Sequence, residues 1–171
     1  MSLTMCDLFA AAITWLGEEL QHVQHLQTLH LDACDLRAVP AQITSMTGLT
    51  QLNISSNHIE ELPAWLPPSL QWLDAADCNL GEVPAAAESW TDLTRLDLDR
   101  QEGDFRVMRP LLPLLSSCPG LKVLNMGGRR WSQESLARIL ELLQHLEAEG
   151  RELEFCYMTD TDRRLAIGEY T

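Results

Sequence analysis

An α/β solenoid, a right-handed stack of strand-and-return units with a parallel sheet along its concave side, is the fold class this sequence predicts. Three observations predict it. A leucine-spaced segment recurs along the chain at near-constant intervals. Within each copy two residues, usually leucines, alternate with period two, the pattern of a strand buried on one face. Each copy is too short to bury that face alone, so the copies must stack to form one continuous core.

The copies are "LQTLHLDACDLRAVPAQITSMTG" from Leu26, "LTQLNISSNHIEELPAWLPPS" from Leu49, "LQWLDAADCNLGEVPAAAESWTD" from Leu70 and "LTRLDLDRQEGDFRVMRPLLPLLSSCPG" from Leu93, with a fifth opening at Leu121 as "LKVLNMGGRRW". Successive starts lie 23, 21, 23 and 28 residues apart. Their common pattern is L-x-x-L-x-L-x-x-[N/C]-x-L, and on it the chain resembles the leucine-rich repeat proteins from Leu26 to about Gly150. Val39-Pro40, Leu62-Pro63 and Val83-Pro84 resemble the subclass found in eukaryotic signalling scaffolds and bacterial effectors, while the last two units resemble the longer, helix-bearing ribonuclease-inhibitor type. The resemblance implies a leucine-rich repeat solenoid, a horseshoe arc, that serves as a protein-binding scaffold. The fourth unit follows the pattern only over its strand: Gln101 replaces the expected Asn and Gly103 the last leucine. Ala75 likewise stands at a core leucine position in the third.

Residues 1–25 are expected to form an N-terminal helical cap. Thr4-x-x-Asp7 can start a helix, and Met5, Leu8, Phe9, Ala12, Ile13, Leu16 and Leu20 fall on one side of it. The run from Leu8 to Leu16 has the length of a signal-peptide core, but Asp7 precedes it with no Lys or Arg upstream, so the cap is preferred. Residues 26–150 hold the repeats. After each strand the chain turns and buries backbone groups; Asn57 can satisfy them with its amide, and Cys34 and Cys78 supply a compact thiol at the equivalent place. Pro40, Pro63, Pro67, Pro68 and Pro84 restrict the first three returns to extended or single-turn structure. The fourth return predicts a short helix between Pro110 and Pro119. The fifth predicts an amphipathic helix capped by Ser132, with Leu136, Ile139, Leu140, Leu143 and Leu146 inward, ending at Gly150. Residues 151–171 read as a last strand, Leu153 to Cys156, completing a C-terminal helix-strand cap, then a polar tail either unpaired or held by another chain.

Twelve basic against 25 acidic residues leave a net charge of −13. Such a field repels phosphate backbones and anionic membranes, so neither nucleic acid nor membrane is expected as a partner, and basic proteins are favoured. Five cysteines without CxxC spacing fit a reducing compartment, cytoplasmic or another, including one reached by delivery into a host cell.

Parity places the functional side chains. With the leucines inward, the concave face carries His30 and Asp32, Asn53 and Ser55, Trp72 and Asp74, Arg95, Asp97 and Asp99, then Asn125 and Glu154. Its middle column is expected to run His30, Asn53, Asp74, Asp97, Asn125, Glu154. This is an acidic strip with an aromatic anchor, suited to a basic segment of a protein partner. The protein would be a non-enzymatic adaptor, or a subunit of a hetero-complex whose neighbours bury Trp65, Trp90, Trp131 and the tail.

The alternative is a metal-binding or enzymatic protein using the concave-face carboxylates. His22, His25, His30 and Cys34 have ligand chemistry, but the register turns Cys34 inward and His30 outward. Asp74 and Asp97 could pair, yet the sequence shows no phosphate loop and no nucleophile with a matching base. No cofactor, metal or catalytic residue is therefore assigned.

Overall fold

The computed structural model describes residues 2–4, 25–81, 90–101, 115, 118–127, 133–156 and 164–166. One eight-stranded sheet runs through it in sequence order: β1 (Ser2–Thr4), β2 (Thr28–His30), β3 (Gln51–Asn53), β4 (Trp72–Asp74), β5 (Arg95–Asp97), β6 (Val123–Asn125), β7 (Glu154–Cys156) and β8 (Arg164–Ala166). Strands β1 to β7 are parallel and β8 is antiparallel to β7.

The repeat spacing sets the register. Leu29, Leu52, Leu73, Leu96, Leu124 and Phe155 are paired strand to strand, and all are buried. The leading leucines Leu26, Leu49, Leu70, Leu93 and Leu121, with Leu31, Ile54, Ala75, Leu98 and Met126, complete the same core. Ala75 thus holds a leucine position at zero exposure. The ladder continues past the strand ends, Leu31 N–H donating to Asn53 O at 2.7 Å and Ala75 N–H to Asp97 O at 2.9 Å.

The first four arches then turn through a residue of positive φ: Ala33 (53°), Ser56 (54°), Asp77 (54°) and Arg100 (48°). None is glycine, although the left-handed region costs an L-residue about 1 kcal/mol. What holds them there is cross-repeat bonding, such as Ser56 N–H to Ala76 O at 2.9 Å and Asp77 N–H to Asp99 O at 2.8 Å.

Inside the arch Asn57 behaves as its position requires. Its Oδ1 accepts the N–H of Cys34 (3.0 Å) and of Leu36 (2.9 Å), and its Nδ2 donates to the carbonyls of Leu31 and Ile54. Cys34 and Cys78 are buried and donate their thiols to Asp32 O and Ile54 O. Gln101 does the work of the missing asparagine: its Nε2 donates to Ala75 O at 2.7 Å and its Oε1 accepts Leu80 N–H at 3.2 Å. The fourth unit therefore keeps its arch as well as its strand.

The first return contains a 3-10 helix, Ala41–Ser45, and the second has none, in keeping with their prolines. The fifth carries α1 (Gln133–Ala148), closed by a Schellman turn in which Gly150 N–H donates to Glu147 O and Arg151 N–H to Leu146 O. Its inward stripe is Ile139, Leu142, Leu143 and Leu146; Leu140, expected in that stripe, is 38% exposed. Leu142 takes the place expected of Leu140.

The proposed N-terminal helix, the third return, most of the fourth, and Ser132 lie outside the described residues. Ser2–Thr4 adds a strand that the cap reading did not foresee. The tail also differs from expectation: Arg164–Ala166 pairs with β7 of its own chain, Leu165 opposite Phe155. Among the described residues no helix is long and apolar enough to cross a membrane.

Candidate functional site: the open face of the sheet

The strand register arranges outward-facing side chains in three columns. The first is Thr28, Gln51, Trp72, Arg95, Val123 and Glu154; the second is His30, Asn53, Asp74, Asp97, Asn125 and Cys156. Beyond the strands, Asp32, Ser55, Ala76, Asp99 and Gly127 form the third. Glu154 is on the expected face but not in the expected column. Leu153 and Phe155 are both buried, and Phe155, not Leu153, pairs with Leu124, which moves Cys156 beside Asn125. His30 and Asp32 are partly buried, with Nδ1 and Oδ1 3.8 Å apart.

Most of the second column has a task within the fold. Asn53 Oδ1 accepts the N–H of Ser55 at 2.9 Å and the Ser55 hydroxyl at 2.7 Å. Asp74 Oδ1 accepts Ala76 N–H, Asp97 Oδ1 accepts Asp99 N–H and Asn125 Oδ1 accepts Gly127 N–H, each at 3.1 Å. An acceptor two residues before a turning N–H stabilises the turn, which accounts for Asn or Asp at these positions. It does not account for charge, because Asn performs the same task at 53 and 125. The carboxylates at 74 and 97 are surplus to it.

At Asp97 the surplus is compensated. Asn125 Nδ2 lies 3.1 Å from both carboxylate oxygens, and the Arg95 guanidinium is 3.9 Å from Oδ2. Asp74 has no ion pair within 4 Å among the described residues and retains one carboxylate oxygen beyond its turn bond. Burial raises its pKa above the usual carboxylate range; the Ala76 N–H pulls it back, Asp97 and Asp32 raise it further and Arg95 lowers it. Asp99 is also raised, chiefly by burial and next by Asp97, with Arg100 Nε 3.6 Å from its Oδ2.

Trp72 is half-buried, not openly exposed. Its neighbour in the column, Arg95, stands over the indole with Cζ 5.6 Å from the ring centroid, within cation–π range. The Trp72 indole N–H is itself buried without a hydrogen-bond partner. This contact was missed from the sequence, although both residues hold the same position in consecutive repeats.

Among the described residues no three His, Cys, Asp or Glu side chains converge as a metal-binding group. Cys34 faces the core while His30 faces out, as the register required; His22 lies outside the described residues. Trp90, expected to be covered by a neighbouring subunit, is 1% exposed within its own chain, whereas Trp65 is 39% exposed. Trp131 lies outside the described residues.

A family model described as Leucine Rich Repeat matches residues 48–68, all but the last residue of the second unit. Among solved structures, a leucine-rich repeat protein of Leptospira interrogans is similar over 81% of this chain, at 17% identity and a TM-score of 0.44. The chain spans 44% of that protein's length. No curated protein matches the sequence. The matched unit shares its register, buried leucines and arch hydrogen bonds with the strands on either side. The fold is that of a leucine-rich repeat solenoid, with the family match confined to the second unit.

Proposed function

We propose that this chain is a protein-interaction module whose open sheet face receives a basic segment of a protein partner. Leucine-rich repeat folds generally bind proteins, and the finer reading rests on the site, since folds are reused for unrelated tasks. The observation that carries it is Asp74: a half-buried carboxylate whose charge the turn does not need and which, among the described residues, no cation within 4 Å compensates, on the same face of its strand as Trp72. Holding an unpaired charge at a partly buried site costs stability, and a cationic side chain from a partner would recover that cost. Asp99, Asp97, Asp32 and Glu154 extend the acidic surface. Four described cysteines are free thiols, three of them buried, which favours a reducing compartment.

Titration of defined basic peptides, octa-lysine and octa-arginine, near physiological salt tests this. Wild type is expected to bind both, and Trp72→Leu/Asp74→Asn/Asp97→Asn to bind at least about tenfold more weakly, ~1.4 kcal/mol. Equal binding by a folded triple variant removes the sheet face as the site. The subunit form of the same reading draws on the exposed Trp65 and no longer on Trp90. Light scattering alone and with a captured partner separates adaptor from constitutive subunit.

A further inference from the structure

We infer that the Trp72 site is specific for a guanidinium group and is occupied in the free protein by the chain's own Arg95, which a partner's arginine must displace. This rests on the proposed basic-partner reading and goes further, naming the side chain and a built-in competitor. Three observations carry it.

First, the occupant is already in place. Arg95 lies over the Trp72 ring at 5.6 Å while its Nη2 reaches toward Asp97 Oδ2 at 3.9 Å, so aromatic face and carboxylate hold one guanidinium between them. A planar guanidinium suits that pair of contacts better than a compact, strongly hydrated ammonium. Second, the occupant is loosely held. Its side chain is 49% exposed, the ion-pair distance is long, and Asp97 already accepts Asn125 Nδ2 on both oxygens. Exposed pairs of this kind contribute little, so exchange for an incoming arginine is cheap. Third, an incoming group has more to gain than the resident. From β4 and β5 together the groups facing this place are Trp72, Asp74, Arg95 and Asp97; Asp74 lies outside ion-pair distance of Arg95. A guanidinium arriving from a partner is not tethered at the β5 backbone and can meet Trp72 and Asp74 together, while Arg95 swings into solvent.

Fluorescence anisotropy with labelled octa-arginine and octa-lysine near physiological salt tests the competition, with thermal unfolding to verify that each variant is folded. Arg95→Gln is expected to bind octa-arginine about threefold or more tighter than wild type, the order expected for release of one exposed cation–π contact. Octa-lysine should gain less. Arg138→Gln, an equal charge change at an exposed position of α1, should change octa-arginine binding by less than about 1.5-fold, which excludes net charge as the cause. In a Trp72→Leu background the gain from Arg95→Gln should vanish, because the contact being competed for is then gone. If Arg95→Gln binds octa-arginine no better than wild type, or the gain persists without Trp72, the competitor role is overturned while basic-partner binding stands. If neither wild type nor Arg95→Gln binds either peptide, the basic-partner reading falls and this inference with it.

Discussion

Asn57 secures the turn of the repeat before its own: its side-chain oxygen receives the backbone N–H of Cys34 at 3.0 Å and of Leu36 at 2.9 Å, in a buried setting. Truncation at 57 strips partners from two buried donors and from the carbonyls of Leu31 and Ile54, none of which water replaces easily. Asn57→Ala should therefore cost about 3 kcal/mol or more, at about 0.5–1.5 kcal/mol for each of the four hydrogen bonds lost. In a chain of this size that is a fall of roughly 6–12 °C in Tm. Cys34→Ala removes only a thiol and a weak S–H donor and should cost about 1–2 kcal/mol. Calorimetry of both variants checks the order; equal losses would show that the amide is not what holds the arch.

Gln101 makes the same point from an irregular position. One methylene longer than Asn, it still bonds Ala75 O and Leu80 N–H across the repeat boundary. Gln101→Leu keeps comparable bulk and removes the amide, so it should destabilise by about 2 kcal/mol through unpaired backbone groups. A neutral outcome in urea unfolding would mean that water enters the fourth arch.

These two residues mark what could be read in advance. Leu26, Leu49, Leu70, Leu93 and Leu121 state the period directly, because a solenoid core tolerates little but large apolar residues at the stacked positions. Gln101 looked like a break because pattern matching scores residue identity, whereas the arch needs only an amide within reach. The last strand was legible as a strand but not in register: Leu153 and Phe155 are both buried, and with a period of two a slip of two residues leaves every side chain on the same face. The slip moved Glu154 one column and hid Cys156. The contact of Arg95 over Trp72 depends on side-chain rotamers, which repeat spacing does not determine. Nor did alternation reveal the turn-bonding role of Asn53, Asp74, Asp97 and Asn125, since a polar residue at a strand end satisfies both readings.

Asp74 divides those readings by pH. With its pKa raised in the folded state, the native form binds more protons than the unfolded form between the ordinary carboxylate value and the raised one. Stability attributable to this group therefore falls as pH rises through that window and stays low at neutral pH. Asp74→Asn keeps the acceptor for Ala76 N–H and removes the charge, so it should be more stable than wild type at pH 7 by about 0.5 kcal/mol, the order of a like-charge cross-strand contact. The advantage should shrink as pH drops toward the ordinary carboxylate value. Asp74→Ala, lacking the acceptor, should be less stable than Asp74→Asn throughout. Urea titrations across this range decide it, and a wild type more stable than Asp74→Asn at pH 7 would mean that the carboxylate is compensated after all.

The four described cysteines should differ in reactivity in an order that reports the fold. Burial pushes the Cys118 thiol up to about 11, with Arg151 only partly offsetting it from its place on the Leu115 and Cys118 carbonyls, and burial raises Cys78 as well. Cys34 and Cys78 sit inside the arches with their thiols engaged. Cys156 alone among these four is only partly buried, in the second column of the open face beside Asn125. Because the thiolate is the reacting form and must be reachable, iodoacetamide at pH 7.5 should modify Cys156 first and Cys118 far more slowly. Peptide mapping by mass spectrometry after brief labelling gives the order directly. Fast modification of Cys34 or Cys78 would show that the arches open readily; a protected Cys156 would show that the last strand does not present its thiol on the open face.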